Sequence, residues 1–148
     1  QKAPWGPRVF FGAVAVRGGH GLIIMGGVVD ASVAGALGGA LGRDYANDVW
    51  WSDAKTGGAE WRELAKAPWR PRAGFEAVVH RGRQDKTEQV IVLGGRLADG
   101  TTANDVWAAS VLEADGKLGG SIGEWRQLTE AAPWIPRSDF AAAAHPEQ

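Results

Sequence analysis

The chain has 148 residues, 22% of them charged and 45% hydrophobic, and its 16 Lys and Arg against 17 Asp and Glu leave a net charge of −1. That is one domain's worth of chain, with no basic excess to neutralise phosphates, which excludes a general nucleic-acid binder and predicts no membrane insertion, since no apolar run approaches the ~20 residues of a spanning helix. The absence of Cys excludes disulfide scaffolds, thiolate metal sites and cysteine nucleophiles.

The chain opens on Gln1, not Met, which reads as a processed product or a piece of a longer protein. The first motif is Ala3-Pro4-Trp5-Gly6-Pro7-Arg8. It recurs 64 residues later as Ala67-Pro68-Trp69-Arg70-Pro71-Arg72, and 65 later again as Ala132-Pro133-Trp134-Ile135-Pro136-Arg137. Three residues after each Arg stands a Phe: Phe11, Phe75 and Phe140. Three further signals follow in the same order in two copies. Leu22 to Met25 and Gln89 to Leu93 are apolar runs that end in Gly26-Gly27 and Gly94-Gly95. Asn47-Asp48-Val49-Trp50 matches Asn104-Asp105-Val106-Trp107. Glu60-Trp61-Arg62 matches Glu124-Trp125-Arg126. The spacings vary: the first copy carries 11 more residues before its Asn-Asp motif, and the second carries 7 more before its Glu-Trp motif. Fixed motifs with variable gaps predict repeated elements joined by variable loops.

Each copy predicts four strands. Phe11 to Val16 and Phe75 to His80 follow a Pro-Arg stop. The runs ended by double glycine come second. Asp48 to Ser52 and Asp105 to Val111 come third, and Trp61 to Leu64 and Trp125 to Leu128 alternate as half-exposed edge strands. Val33 to Leu41 contains three glycines, each costing about 1 kcal/mol in a helix, and reads as loop. The predicted class is all-β.

Four short strands, Gly-Gly after the second, an aromatic near the end of the third and a Trp opening the fourth resemble the Kelch repeat of β-propellers. The resemblance runs from Trp5 to about Ala144. It implies a partial β-propeller of four-stranded antiparallel blades: one over residues 1–66, one over 67–131, and the first strand of a further blade over 132–148. Propellers have about four to eight blades, so the remaining blades are expected from a longer chain or from self-association. A second, looser likeness is Ser52-Asp53, Gly57-Gly58 and Trp61, similar to the Asp-box turn of sialidase-type propellers.

The chemistry-bearing residues read mostly as structural. Arg8, Arg72 and Arg137 could form a carboxylate clamp, but they obey the repeat, and a clamp would break it. Asp48 and Asp105 share a repeat context and are expected to bond turn amides or a neighbouring Arg such as Arg72 or Arg137. Asp44, Asn47, Asp48 and Asp53 lack calcium-loop spacing, and His20, His80 and His145 lack metal-ligand spacing. No metal site, cofactor or catalytic residue is therefore predicted. Trp61 and Trp125 are expected to lie mostly buried at matching positions. The binding surface is expected in the segments after the second strands, Val28 to Ala46 and Arg96 to Ala103, with Asp30, Arg43, Asp44, Tyr45, Arg96 and Asp99 as contact residues. The expected function is a non-catalytic interaction or assembly module for a protein or glycan partner, leaning towards a secreted or cell-surface protein. The alternative is part of an exported sialidase-like or epimerase-like propeller enzyme, with its catalytic residues in other blades.

Overall fold

The computed structural model describes residues 2–29, 44–82, 87–112 and 120–144. The all-β expectation is borne out: the described residues form antiparallel strands and two 3₁₀ turns, at Arg17–Gly19 and Ala54–Thr56. The first sheet comprises β1 (Arg8–Val9), β2 (Gly12–Val16), β3 (Gly21–Val29), β4 (Asp44–Asp53) and β5 (Arg62–Glu63). The second comprises β6 (Arg72–Ala73), β7 (Glu76–Arg81), β8 (Glu88–Leu97), β9 (Thr102–Leu112), β10 (Ser121–Ile122) and β11 (Arg126–Thr129).

The two sheets share one plan. β1 and β2 both pair with β3 in a single register, Arg8 opposite Val29 and Gly12 opposite Met25, so they are one strand interrupted at Phe10–Phe11. β6 and β7 lie on β8 in the same way, Arg72 opposite Leu97 and Glu76 opposite Leu93. Next come β4 and β9, and the outer position is taken by β5 in one sheet and by β10 and β11 in the other.

The second strands run longer than the sequence suggests. Gly26-Gly27 and Gly94-Gly95 do not end β3 and β8; each pair is crossed by the strand at a bulge. The register with the next strand shifts between Met25 and Gly27, and again between Leu93 and Gly95. Asn47 and Asp48 thereby face the single residue Gly26, as Asn104 and Asp105 face Gly94. The bulge needs left-handed backbone, with φ of 57° and 88° at Gly26 and Gly27, which glycine adopts without a Cβ penalty.

The core lies between the sheets. Ile23, Met25, Val49 and Trp51 of the first pack with Val90 and Val92 of the second, and with Trp69 and Phe75 of the segment that enters it. Phe75 seats where no side chain obstructs it: a Cβ on Gly12 would come within 2.6 Å of its ring, and one on Gly26 within 2.8 Å. Backbone bonds tie the same junction. Gly74 N–H donates to the Phe10 carbonyl at 2.9 Å, and Asp139 N–H donates to the Gly74 carbonyl at 2.8 Å. Phe10, Gly74 and Asp139 occupy equivalent positions and share a positive φ of 56–60°. The Arg17 backbone N–H also donates to the Glu88 carboxylate, and the Arg62 guanidinium to the Gly120 carbonyl.

Candidate functional site

The most elaborate polar arrangement is a clamp that appears twice. Arg8 Nη1 and Nη2 donate to the two Asp48 carboxylate oxygens, each at 2.8 Å, and Nη1 also donates to the Gly26 carbonyl at 3.1 Å. The Trp50 indole N–H donates to Asp48 Oδ2 at 2.7 Å. Arg72 repeats this with Asp105 at 2.6 and 2.9 Å and Gly94 at 2.8 Å, and Trp107 donates to Asp105 at 2.8 Å. Each Arg also lies over the Trp that precedes it in sequence, Trp5 at 5.7 Å and Trp69 at 5.6 Å. Arg8 and Asp48 sit on first and third strands, with β3 between them. The guanidinium crosses β3 at its glycines, where no side chain stands in the way.

The expectation that the two aspartates bond a neighbouring Arg is met by an Arg of the same repeat, not the next one. Burial acts to raise the Asp48 pKa, but the Arg8 and Trp50 hydrogen bonds and the Arg8 charge outweigh it and hold the carboxyl below its ordinary value of 3.8. Asp105 is held down by Arg72 and Trp107 in the same way. Both pairs are consumed internally, so Arg8 and Arg72 do not offer charge to a ligand carboxylate.

A second repeated contact joins the repeats. The Asn47 side-chain amide donates to the carbonyls of Ala67 at 2.7 Å and Trp69 at 3.4 Å, and Ala67 N–H returns a bond to the Asn47 carbonyl at 3.0 Å. Asn104 holds Ala132 and Trp134 at 2.8 and 3.1 Å, with Ala132 N–H returning at 2.9 Å. Trp61 meets Trp5 edge-on at 5.6 Å, and Trp125 meets Trp69 edge-on at 6.0 Å. The positions match as expected, but both Trp61 and Trp125 are only half-buried; Trp51 and Trp69 are the enclosed ones. The Asp53 turn is held from within: its carboxylate accepts from Lys55 N–H at 2.9 Å, and the Trp61 indole N–H donates to Gly58 at 2.7 Å.

The expected contact residues divide. Asp30 and Arg43 lie outside the described residues. Asp44 and Tyr45 open β4 opposite Val29 and Val28, so they belong to strand rather than loop. Arg96 lies within β8, and only residues 98–101 connect β8 to β9. Asp99 in that turn pairs with Arg70 at 2.6 Å, and Arg96 with Asp139 at 3.5 Å, all four side chains being exposed. Thr101 and Arg70 hold the Asp99 carboxyl well below the usual carboxylate range.

Sequence reasoning did not anticipate an open groove of about 530 Å³ between the outer strands of the two sheets. Leu64, Pro68, Ile122 and Trp125 line it, with Lys66 and Glu124 alongside. Leu64 and Trp125 stood in segments read as half-exposed edge strands, but Pro68 and Ile122 carried no such mark. No protein-family model matches this sequence, and no curated protein matches it.

Proposed function

We propose that the chain is a two-blade segment of a Kelch-like β-propeller that works as a non-catalytic interaction or assembly module, binding a protein or glycan at the end where the second and third strands connect. The observation that carries this reading is the duplicated clamp. Its strongest acids, bases and donors are spent on holding strands together, in the same pattern in both repeats, and none of them is left aimed at a substrate.

The binding end is supported by charge left at the surface. The linker from Leu64 to Pro71 runs from Asn47 to the turn at Asp99, so the β3-to-β4 connection and the β8-to-β9 turn share one end. Arg70, Asp99, Arg96, Asp139 and Asp44 present charges of both signs there. Exposed ion pairs of this kind are screened by solvent and open easily to a partner. A mixed-charge rim suits a macromolecule or glycan with many weak polar contacts.

The test is deletion of residues 32–41, read by binding to arrayed glycans and by affinity capture with mass spectrometry, with a urea titration alongside. Binding should weaken while the urea midpoint stays put. Loss of folding on deletion would make this segment a packing element and remove the proposed binding end.

A further inference from the structure

The second repeat builds something the first does not. Its outer position holds two strands, β10 and β11, where the first sheet has β5 alone among the described residues. β10 falls between Trp107 and Trp125, the stretch in which the second copy is 7 residues longer. Ser121 and Ile122 pair with Leu112 and Val111 of β9, and Gly123 N–H continues the ladder to the Ser110 carbonyl at 2.8 Å. The same segment is pinned to the first sheet. Gly120 is buried against the Trp51 ring, where a Cβ would come within 2.3 Å, and its carbonyl accepts from the Arg62 guanidinium. β10 is therefore a fixed wall facing the linker that follows β5, and the groove of about 530 Å³ lies between them. That volume is within the roughly 300–1,000 Å³ of ligand clefts.

Leu64, Ile122 and Trp125 form the floor, half-buried and packed on the core shared by the two sheets. Lys66 on one wall and Glu124 on the other line the same groove, and both are exposed. Among the described residues neither meets an opposite charge, nor do they meet each other. The linker is held on either side of Lys66: Leu64 N–H donates to the Val49 carbonyl at 2.8 Å, and Ala67 N–H to the Asn47 carbonyl at 3.0 Å. Between these bonds the Ala65 and Lys66 N–H groups meet no acceptor among the described residues. One wall thus carries two amide donors and an ammonium, and the other a carboxylate, over an apolar floor.

We propose that this groove binds an extended peptide of a partner protein in which an apolar side chain stands between an acidic and a basic residue. The apolar side chain sits on Leu64, Ile122 and Trp125. The acidic residue meets Lys66, the basic one meets Glu124, and peptide carbonyls take the Ala65 and Lys66 amides. The site goes beyond the charged rim proposed above, shares only the linker with it, and rests on the reading of the chain as an interaction module. Charge complementarity selects this occupant: a ligand of one sign would leave one of the two walls unanswered. A glycan fits less well, because Ser121 is the only polar side chain beside Lys66 and Glu124 on the groove, too few to bond a row of hydroxyls. Both walls are fixed by bonds to the sheets, so little ordering is needed on binding.

Short random peptides displayed on phage are selected on the full 148-residue chain and counter-selected on its Lys66→Glu variant. Lys66 is exposed and unbonded among the described residues, so the variant keeps its fold, which a urea titration checks. The surviving peptides should share an apolar residue flanked by opposite charges. In fluorescence anisotropy Lys66→Glu should weaken such a peptide by at least about 10-fold, and exchanging its acidic residue for Lys should restore binding to that variant. Glu124→Lys should be rescued by the opposite exchange at the basic residue. Amide NMR shifts on titration should fall at residues 64–68 and 121–125. No surviving peptide, exchanges that restore nothing, or shifts lying elsewhere overturn the proposal. So does an arrayed glycan whose binding Lys66→Glu abolishes while no peptide is selected, since the groove then belongs to a sugar. Deletion of residues 32–41 should leave the peptide bound, so the charged rim and the groove stand or fall separately.

Discussion

Removing Asp105 should cost far more than removing Asp99, although both accept an Arg at 2.6 Å. In the first pair the side chains are 1% and 15% exposed; in the second they are 63% and 47%. Asp105→Ala strands the Arg72 guanidinium inside the sheet with only the Gly94 and Arg70 carbonyls as acceptors, and leaves the Trp107 indole N–H without its partner. Breaking a buried pair from one side costs about 3–5 kcal/mol, and the residual water access at Asp105 argues for the lower end, about 3 kcal/mol. In a domain of this size that is a fall in Tm of about 6–12 °C. Asp99→Ala removes an exposed, solvent-screened pair and should leave the urea midpoint nearly unchanged. Urea titrations of both variants, with the slope compared to confirm an unchanged unfolding transition, decide the matter. Equal losses from the two substitutions would refute the reasoning, because burial rather than distance is what separates them.

Gly26→Ala should destabilise by about 2–5 kcal/mol, combining the left-handed backbone with a Cβ forced to 2.8 Å from the Phe75 ring and 3.2 Å from the Arg72 carbonyl. Gly57→Ala has similar φ but open space around it, so it should cost only about 1–2 kcal/mol; parity in a urea midpoint comparison would mean the Phe75 contact is slack. Acid should weaken the fold through Asp48 and Asp105, whose folded pKa values are depressed. Their contribution is complete above the unfolded carboxylate value of about 3.9 and is lost as pH falls through the lower folded values. The Asp48→Asn, Asp105→Asn double variant should therefore lose less stability than the parent between pH 5 and pH 2 (about three units) in urea titrations, and an identical pH slope would contradict the assignment.

Much of the sheet plan was legible because it repeats. Arg8 and Arg72, Asp48 and Asp105, and the paired glycines all announce themselves by recurring in order, and recurrence favours a role in the frame. The pairing itself was not legible. Arg8 and Asp48 are 40 residues apart and sit on strands that are not neighbours. Their meeting depends on a bulge that puts Asn47 and Asp48 opposite one glycine, and a register shift of one residue leaves no mark in composition. The double glycine itself suggested a strand end because glycine is a strand breaker on average; here it is what lets β3 continue while a side chain crosses it. The expected contact residues were harder still. Arg96 and Tyr45 read as loop residues, but backbone pairing extends β8 and β4 over them, and pairing partners far along the chain have no local signature.

The clamps also explain why the two repeats tolerate such different loop lengths. Every bond in a clamp is made by residues within the fixed motifs: Arg in the entry unit, the glycine carbonyl at the bulge, Asp and Trp on the third strand, Asn reaching forward to the next entry unit. None is made by residues between the motifs. Eleven extra residues before Asn47, or seven before Trp125, therefore leave every clamp bond in place, and loop-closure entropy grows slowly with length: each doubling costs about 0.6 kcal/mol. That is small beside the roughly 3–5 kcal/mol penalty for breaking one buried pair. Variation is thus pushed towards the connections. A frame that fixes strand positions through a few short motifs, and leaves its connections free, can acquire a binding surface by insertion without disturbing its core.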